Sequence, residues 1–283
     1  MDDSTRPDGP GTEQDPEPGQ QHGQQPGQQH GPQHGQGHQH GHQHGAEGQE
    51  QRHQHGDQPG GPAQRGLGAE AFEADPSTWF TQEFWDLHYG AGTVWSGDPN
   101  PVLVQHATAL TPGSALDVGC GEGADAIWLA RAGWTVTGAD VSQVVLDRCA
   151  ALARDAGPDV AARTRWQQAD ALTWAPPALT HDLVSAQFLH LPRPALHALH
   201  RRLAAAVRPG GTLLVVSHDP ADAHEHAHRP DTPDMFVSAA DMAGVLDPAH
   251  WDVEVGSPQR QAPGPDGTPV TVRDAVLRAV RRS

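Results

Sequence analysis

From residue 115 onward, short apolar runs typical of strands alternate with apolar residues at helical spacing, which predicts strands that alternate with helices. Short apolar runs predict strands over 115–118, 135–139, 164–168, 182–186, 212–217 and 251–255. Helical spacing predicts helices over 122–132, 142–155, 192–207 and 238–246. Such alternation is typical of a parallel sheet with helices on both faces. For 270–280, periodicity leaves both a seventh strand and a terminal helix open.

A helix rich in aromatic residues is predicted ahead of the sheet, beginning near Thr78 with Ser77 or Thr78 as its N-cap. Turn-forming residues predict a loop over 90–101, and a second helix is predicted over 102–110. The aromatic and apolar residues that recur at helical spacing are Trp79, Phe80, Phe84, Trp85, Leu87 and Tyr89.

Residues 1–70 lack this pattern and consist almost entirely of Gly, Gln, His, Pro and acidic residues. Because such a segment cannot bury enough apolar surface to offset its chain entropy, we expect a disordered tail over 1–70 and one folded domain over 71–283. Neutral imidazoles on a flexible chain bind transition metals, so the tail is either a metal-binding segment or a solvated low-complexity segment. Its repeated histidines are His22, His30, His34, His38, His40, His42, His44, His53 and His55.

The charge balance argues against nucleic acid as the main partner, because the formal net charge is -17 and the chain has no lysine. No stretch has the apolar length of a membrane span, and the N-terminus lacks the pattern of a secretory signal, so no membrane partner is expected. Cys120 and Cys149 are too few for a disulfide framework. Cysteine usage therefore favours a reducing cytoplasm.

Three glycines at alternating positions, Gly119, Gly121 and Gly123, lie between the first predicted strand and its helix. A strand, tight turn and helix of this kind points backbone N–H groups at whatever ligand lies in the turn. The segment fits the pattern G-x-G-x-x-G/A of dinucleotide sites, which indicates NAD(P). It also resembles the acid-x-G-x-G-x-G segment of class I S-adenosylmethionine (SAM) methyltransferases.

Two acidic residues beside this turn bear on the choice of cofactor. Asp140 ends the second strand, 21 residues after Gly119, where an acid accepts hydrogen bonds from ribose hydroxyls in either kind of site. Asp117 lies just before the glycines, where a carboxylate attracts the sulfonium and ammonium groups of SAM and repels a pyrophosphate. The charge of Asp117 therefore favours SAM.

Other segments also resemble class I SAM methyltransferases, namely 181–188 at the fourth strand and 207–216 at the entry to the fifth. The resemblance covers roughly residue 85 to the C-terminus. It implies a doubly wound, Rossmann-like α/β fold with a seven-stranded, mostly parallel sheet in the order 3-2-1-4-5-7-6. The last strand is then antiparallel, which makes 270–280 a strand.

The resemblance also implies a set of cofactor contacts. Trp85, Tyr89 and the segment 95–100 are similar to the N-terminal cap of the tellurite-resistance and thiopurine-type branch, where the tryptophan closes over SAM. A core position for Trp95 is the alternative. Asp170 stands where the family has an acid that accepts from the adenine amino group. The implied cofactor-binding residues are Trp95, Asp117, Gly119, Gly121, Gly123, Asp140, Val141, Asp170, Ala171 and Gln187.

Two histidines are candidate catalytic residues, His190 past the fourth strand and His218 past the fifth. Both fall at the carboxyl edge of the sheet, where open α/β folds bind ligands. The sulfonium already activates the methyl group, so a base is needed only if the acceptor must lose a proton. Each histidine is otherwise a polar loop residue. The loop after the fifth strand is either solvated or a metal site built from Asp219, His224, Glu225, His226 and His228.

These observations predict a cytoplasmic methyltransferase that transfers the methyl group of SAM to a small-molecule acceptor by in-line displacement. One alternative is an NAD(P)-dependent oxidoreductase, which Asp117 and Asp170 disfavour. The other is a metal-binding protein whose histidine tail is the functional part and whose fold only binds SAM. No motif identifies the acceptor.

Overall fold

The computed structural model describes residues 76–222, 233–263 and 268–283. The expected tail over 1–70, its histidines and the boundary after residue 70 lie outside the described residues. So do His224, Glu225, His226 and His228 of the predicted loop metal site. In the described part of the chain, no helix combines the length and apolar character that crossing a bilayer requires.

The secondary structure begins with a 3-10 turn over Pro76–Phe80. The α-helices described are α1 (Gln82–Gly90), α2 (Pro101–Ala107), α3 (Ala124–Arg131), α4 (Gln143–Asp155), α5 (Pro158–Arg163), α6 (Arg193–Ala206) and α7 (Ala239–Ala243). The strands described are β1 (Ser114–Val118), β2 (Thr135–Asp140), β3 (Thr164–Gln168), β4 (His181–Gln187), β5 (Val207–His218), β6 (Trp251–Gly256), β7 (Gln259–Pro263) and β8 (Pro269–Arg281).

The strands form one sheet in the order β3-β2-β1-β4-β5-β8-β6, with β7 paired to β8 outside this path. The pairs from β3 to β5 are parallel, whereas β8 runs antiparallel to β5, β6 and β7. The predicted doubly wound α/β fold is confirmed, and 270–280 lies in a strand, β8. The predicted seven-strand order is also found, with β8 in the place of the seventh strand, and β7 is an additional strand that pairs with β8 outside this order.

Helices cover both faces of the sheet. On one face α6 packs against β4 and β5 and α7 packs against β6 and β8, and the two helices bury Leu196, Leu203 and Met242. On the other face Leu103 of α2 and Leu129 of α3 belong to a second apolar cluster. Burying side chains of this size stabilises the fold by about 1.5–3 kcal/mol each, so the two layers fix where the strand ends lie.

The N-cap of α1 differs from the predicted one, whereas the N-cap of α4 agrees with it. The N-cap of α1 is Thr81, whose hydroxyl accepts from Phe84 N at 3.2 Å, and not Ser77 or Thr78. The preceding residues form the 3-10 turn instead, so the aromatic helix starts three residues later than predicted. Ser142 caps α4 as predicted, accepting from Val145 N at 3.3 Å. Helix α5 was not predicted, because it has a single buried residue, Val160.

Candidate functional site

The turn after β1 is held against the end of β2 by its own backbone. The N–H groups of Gly119 and Cys120 both donate to the carbonyl oxygen of Ala139, at 2.8 and 3.1 Å. The next glycine, Gly121, has a φ of 49° and donates its N–H to Asp140 Oδ2 at 3.0 Å. Glycine adopts this left-handed conformation without the steric cost that a Cβ brings. The turn is therefore shaped before any ligand binds.

Two buried thiols pack behind the turn. Cys149 Sγ donates to the carbonyl oxygen of Gly121 at 3.1 Å, and Cys120 Sγ lies 3.9 Å from the same oxygen. A hydrogen bond with Cys149 and then burial raise the pKa of Cys120 well above its usual value. A Cβ at Gly123 would lie 2.9 Å from Cys149 Sγ. Both thiols are buried packing groups, and position 123 has no room for a side chain.

Asp140 and Asp170 stand at the ends of neighbouring strands. Asp140 Oδ1 accepts from Ser142 N at 3.0 Å, and the carbonyl oxygen of Asp140 accepts from Ala169 N at 2.8 Å. Burial raises the pKa of Asp140, although its backbone hydrogen bonds oppose that effect. Asp170 accepts from Leu172 N at 2.8 Å and so shapes the turn after β3. Both acids lie at the carboxyl edge of the sheet, where ligands of α/β folds bind.

Asp117 is a buried acid beside the glycine turn, and its Oδ2 has no hydrogen-bond partner in the described part of the chain. Burial and then the charges of Asp125 and Asp140 raise the pKa of Asp117 well above its usual value. Asp117 hydrogen-bonds with Ser185, but a buried oxygen without a partner, such as its Oδ2, costs free energy unless a ligand satisfies it. These acidic side chains therefore fit a cationic ligand with an ammonium or sulfonium group, as SAM has, and do not fit a pyrophosphate.

We expect Asp125 to give the free energy of unfolding a characteristic pH dependence. Burial raises the pKa of Asp125 from 3.8 to about 6, against the opposing hydrogen bond from Asn100 N. Because the folded state holds this proton more tightly than the unfolded state, stability falls as pH rises from about 4 to 6, by about 3 kcal/mol in all. Asp125→Asn should remove this slope. Urea unfolding of both proteins between pH 4 and 7 measures this slope. The same pH dependence of the free energy of unfolding in both proteins would contradict the prediction.

A buried ion pair ties the segment after α1 to the glycine turn. Glu122 Oε1 lies 2.6 Å from an Nη of Arg148, and Glu122 Oε2 accepts from the N–H groups of Val94 and Trp95 at 3.2 and 2.9 Å. Arg148 also donates to the carbonyl oxygen of Tyr89 at 2.7 Å. Charge-assisted hydrogen bonds are roughly twice as strong as neutral ones. The pair therefore fixes both ends of the segment 89–95, called the cap segment below.

Trp95 of the cap segment lies over the glycine turn and not in the core. Its side chain is 55% exposed, and its indole nitrogen is 3.5 Å from Tyr89 Oη. A Cβ built on Gly121 would lie 3.2 Å from Tyr89 Oη and 3.3 Å from Trp95 Nε1. The alternative that Trp95 is a core residue is therefore wrong. Its position against the turn matches the expected role as a cover.

Helices α1 and α2 are each docked by one polar residue. Asp86 of α1 accepts from Ser142 Oγ at 2.6 Å, which fastens α1 to the start of α4. Burial raises the pKa of Asp86, but this hydrogen bond and others outweigh it and lower the pKa. Asn100 caps α2 and donates through Nδ2 to Gln187 Oε1 at 3.2 Å. Gln187 in turn donates to Ser185 Oγ at 2.8 Å, so its side chain is oriented at the end of β4.

His190 and His218 meet at the carboxyl edge of the sheet. Their rings stack with centroids 5.1 Å apart and an interplanar angle of 19°. The ring of Phe188 lies 4.6 Å from His218, and Phe236 meets His190 edge-on at 5.4 Å. The two histidines predicted from separate loops thus belong to one aromatic cluster.

Asp274 of β8 lies under this cluster. Its Oδ1 is 3.9 Å from His218 Nδ1, and its Oδ2 accepts from Arg260 Nε at 2.7 Å. Burial raises the pKa of Asp274, but the contacts with His218 and Arg260 outweigh it and hold the pKa below its usual value. A fixed carboxylate therefore orients His218 from below.

The structure brings most of the predicted site residues to one edge of the sheet. Asp117 and the three glycines lie at the end of β1, Asp140 and Val141 at the end of β2, Asp170 and Ala171 after β3, and Gln187 at the end of β4. The described residues contain no cluster of three or more potential metal ligands. Nothing in the described residues supports a metal partner: of the predicted ligands only Asp219 is described, and it accepts from Ser257 Oγ.

Several residues of the site were missed by sequence reasoning. Glu122 lies inside the glycine pattern but carries no motif of its own, and its partner Arg148 is 26 residues away. Asp274 and Arg260 lie in segments where periodicity gave no clear assignment. Their pairing depends on the register between β7 and β8, which no local pattern specifies.

Comparison with known proteins agrees with this geometry. Residues 115–211 match the family model described as a methyltransferase domain. Trans-aconitate 2-methyltransferase of Sinorhizobium medicae is 32% identical over 145 residues, which cover 50% of this chain and 52% of that protein. The chain thus spans about half the length of the curated relatives it matches.

Solved structures share the fold. A structure from work on the conversion of a disulfide bond into a thioacetal group during echinomycin biosynthesis is 23% identical with a TM-score of 0.57, covering 72% of this chain and 92% of that one. A SAM-dependent methyltransferase of Methanosarcina mazei is 15% identical with a TM-score of 0.50, covering 65% of this chain and 99% of that one. These structures show the fold of the chain, and the family model matches a methyltransferase domain over residues 115–211.

Proposed function

We propose that this chain transfers the methyl group of SAM to a small-molecule acceptor that carries a carboxylate. The observation that carries the cofactor half is the buried, unpartnered Oδ2 of Asp117 beside the glycine turn. The acceptor half draws on the relative that acts on trans-aconitate and on the histidine cluster at the same edge of the sheet.

Different residues around the turn would bind different parts of the cofactor. Asp117 would hold the cationic methionine end, whereas Asp140 and Asp170 would accept from the ribose hydroxyls and the adenine amino group. Trp95, held by Glu122, would exclude water from the reacting centre. When bound, SAM supplies a methyl group that its positive sulfur already activates. The protein's own contribution is therefore orientation and desolvation.

The acceptor side needs no strong base if the methyl group goes to a carboxylate oxygen, because a carboxylate is already deprotonated near neutral pH. In that case His190 and His218 would act as positioning groups, with Asp274 fixing His218. An acceptor that must lose a proton would instead need one of them as a base. The narrower likeness to the tellurite-resistance and thiopurine-type branch stays a prediction, based on Trp85, Tyr89 and the segment from Trp95.

The test of the cofactor is calorimetric titration of the full chain with SAM, S-adenosylhomocysteine and NAD. We expect the two sulfur nucleosides to bind at least about tenfold tighter than NAD, because only they match the acids around the turn. Transfer of labelled methyl from SAM to trans-aconitate then tests the acceptor class, with a tricarboxylate trimethyl ester as the control. Tighter binding of NAD, or no nucleotide binding, would overturn the proposal.

A further inference from the structure

The β7–β8 hairpin projects past the carboxyl edge of the sheet. Strand β5 ends at His218, which pairs with Asp274 of β8. Because β8 is antiparallel to β5, its first residues, from Pro269 to Arg273, extend beyond that end and pair with β7. The hairpin is the element that the seven-stranded expectation lacked. It therefore adds side chains to the acceptor end that the predicted fold does not supply.

Arg260 is the residue of this hairpin that reaches the histidine cluster. It pairs with Val272, two residues before Asp274 in the sequence, and its Nε donates to Asp274 Oδ2 at 2.7 Å. Its guanidinium carbon lies 5.5 Å from the centre of the Phe188 ring, on which the cation rests. The side chain is 35% exposed.

Only part of the guanidinium of Arg260 is used. In the described part of the chain, its hydrogen bond to Asp274 goes through Nε, and its two Nη atoms make none. Arginine presents a planar fork of N–H donors that matches a carboxylate with two parallel hydrogen bonds. The ion pair with Asp274 thus orients the side chain and leaves donors for a second acid.

Phe188 connects this arginine to the cofactor end of the site. It follows Gln187 directly and has a φ of 52°, a left-handed conformation that is unfavourable for a bulky residue. The centroid of its ring lies 4.6 Å from that of His218 and 5.5 Å from the guanidinium carbon of Arg260. Strained residues of this kind cluster at ligand sites, where the surroundings hold them in place. The cation, Phe188 and the histidines form one continuous wall.

We propose that the Nη atoms of Arg260 bind a carboxylate of the methyl acceptor, with Phe188 and His218 forming the adjacent wall. The inference rests on the proposed function, since it names the group that anchors that acceptor. It gives the β7–β8 hairpin the role of selecting anionic acceptors.

The charges around Arg260 make Arg273 a suitable control. Arg273 lies in the same hairpin and donates through an Nη to Asp222 Oδ1 at 2.9 Å, and its N–H donates to Asp222 as well. One of its Nη atoms is thus already engaged by a buried acid. The remaining acid nearby, Asp219, accepts from Ser257 Oγ at 2.5 Å. Arg260 is the arginine of this hairpin whose Nη donors the described residues leave unused.

The experiment measures binding of trans-aconitate to the full chain saturated with S-adenosylhomocysteine. We expect Arg260→Gln to raise its Kd by about 10- to 100-fold, as loss of a charged hydrogen-bond pair does, and to leave the Kd of S-adenosylhomocysteine within about twofold. Arg260→Lys keeps the charge but not the planar fork, so its Kd for trans-aconitate should lie between those of the unmodified protein and Arg260→Gln. Arg273→Gln should bind trans-aconitate as the unmodified protein does.

Equal losses in Arg260→Gln and Arg273→Gln would show a general effect of the hairpin and overturn the inference. So would unchanged binding in Arg260→Gln, or a protein that binds S-adenosylhomocysteine but not trans-aconitate. Failure to bind the nucleoside at all would instead refute the proposed function. If Arg260→Gln loses nucleoside binding through misfolding, the test depends on Arg260→Lys. An unchanged Kd for trans-aconitate in that variant would refute carboxylate binding by the two Nη atoms.

Discussion

Asp117→Asn is expected to make the ligand-free protein more stable while weakening its binding of SAM about 10- to 100-fold. The substitution removes a buried acid whose Oδ2 has no partner, so the unfavourable burial of that charge disappears. The same change removes the carboxylate that a cationic ligand would pair with, worth about 1.5–3 kcal/mol for a charged hydrogen bond. Thermal unfolding and calorimetry measure the two effects.

The gain in stability should grow with pH. Burial raises the pKa of Asp117 in the folded state, so the unmodified protein loses stability as pH rises above the unfolded-state pKa. Asp117→Asn lacks this loss, so the difference in stability should be small near pH 4 and should increase toward pH 8. A variant that is less stable at every pH would show that Asp117 is satisfied within the protein.

Asp182→Asn is the matched control, because it removes an acid at the opposite end of the sheet. Asp182 forms an ion pair with Arg208 at the start of β4. Although burial raises its pKa, hydrogen bonds from Arg208 and Ser114 outweigh burial and lower it. We therefore expect Asp182→Asn to lower stability and to leave SAM affinity unchanged, the reverse of Asp117→Asn in both respects.

Glu122→Gln is expected to reduce stability by about 2–4 kcal/mol and to weaken SAM binding about tenfold. Glu122 is 7% exposed, and removing one member of a buried pair leaves the charge of Arg148 uncompensated. The same change loosens the cap segment, since Glu122 also accepts from Val94 and Trp95. Loss of this hold should free Trp95 from the glycine turn and let water into the site.

A double-mutant cycle with Arg148→Met separates this pair from general damage. The two substitutions should be non-additive by about 1–3 kcal/mol, because each one alone breaks the same interaction. Glu254→Gln is the control, since Glu254 is 67% exposed in its pair with Arg278 between β6 and β8. It should change neither stability nor SAM affinity measurably. Additive losses in the cycle would contradict the view that the cap segment depends on the pair.

The parts of the fold that follow local patterns could be predicted from sequence. Apolar runs with turn residues between them gave β1 to β4 and β6 nearly at their observed positions, whereas β5 starts at Val207, five residues earlier than predicted. The glycine turn between β1 and α3 is visible as a motif. Acids that directly follow strands, such as Asp140 and Asp170, could be assigned to the carboxyl edge for the same reason. These features depend on a few neighbouring residues, which one sequence is sufficient to show.

The features that depend on pairing between distant segments could not be predicted. Strand β7 is polar, Gln-Arg-Gln-Ala-Pro, and is a strand only because β8 offers it a partner. The hold on the cap segment joins Glu122 to Arg148 across 26 residues, and neither has a pattern around it. The start of α1 at Thr81 was missed because Ser77, Thr78 and Thr81 are all good caps, and packing decides between them.

The position of β8 between β5 and β6 also affects how the chain is completed during synthesis. In the sheet order, β6 and β7 have no neighbour other than β8, which is the last strand in the sequence order of the described elements. Until residues 269–281 have left the ribosome, β5 presents an unpaired apolar edge and β6 and β7 have nothing to pair with. Such an edge can recruit strands from other chains. Closure of this half of the sheet therefore waits for β8, whereas the half from β3 to β5 can pair earlier in synthesis.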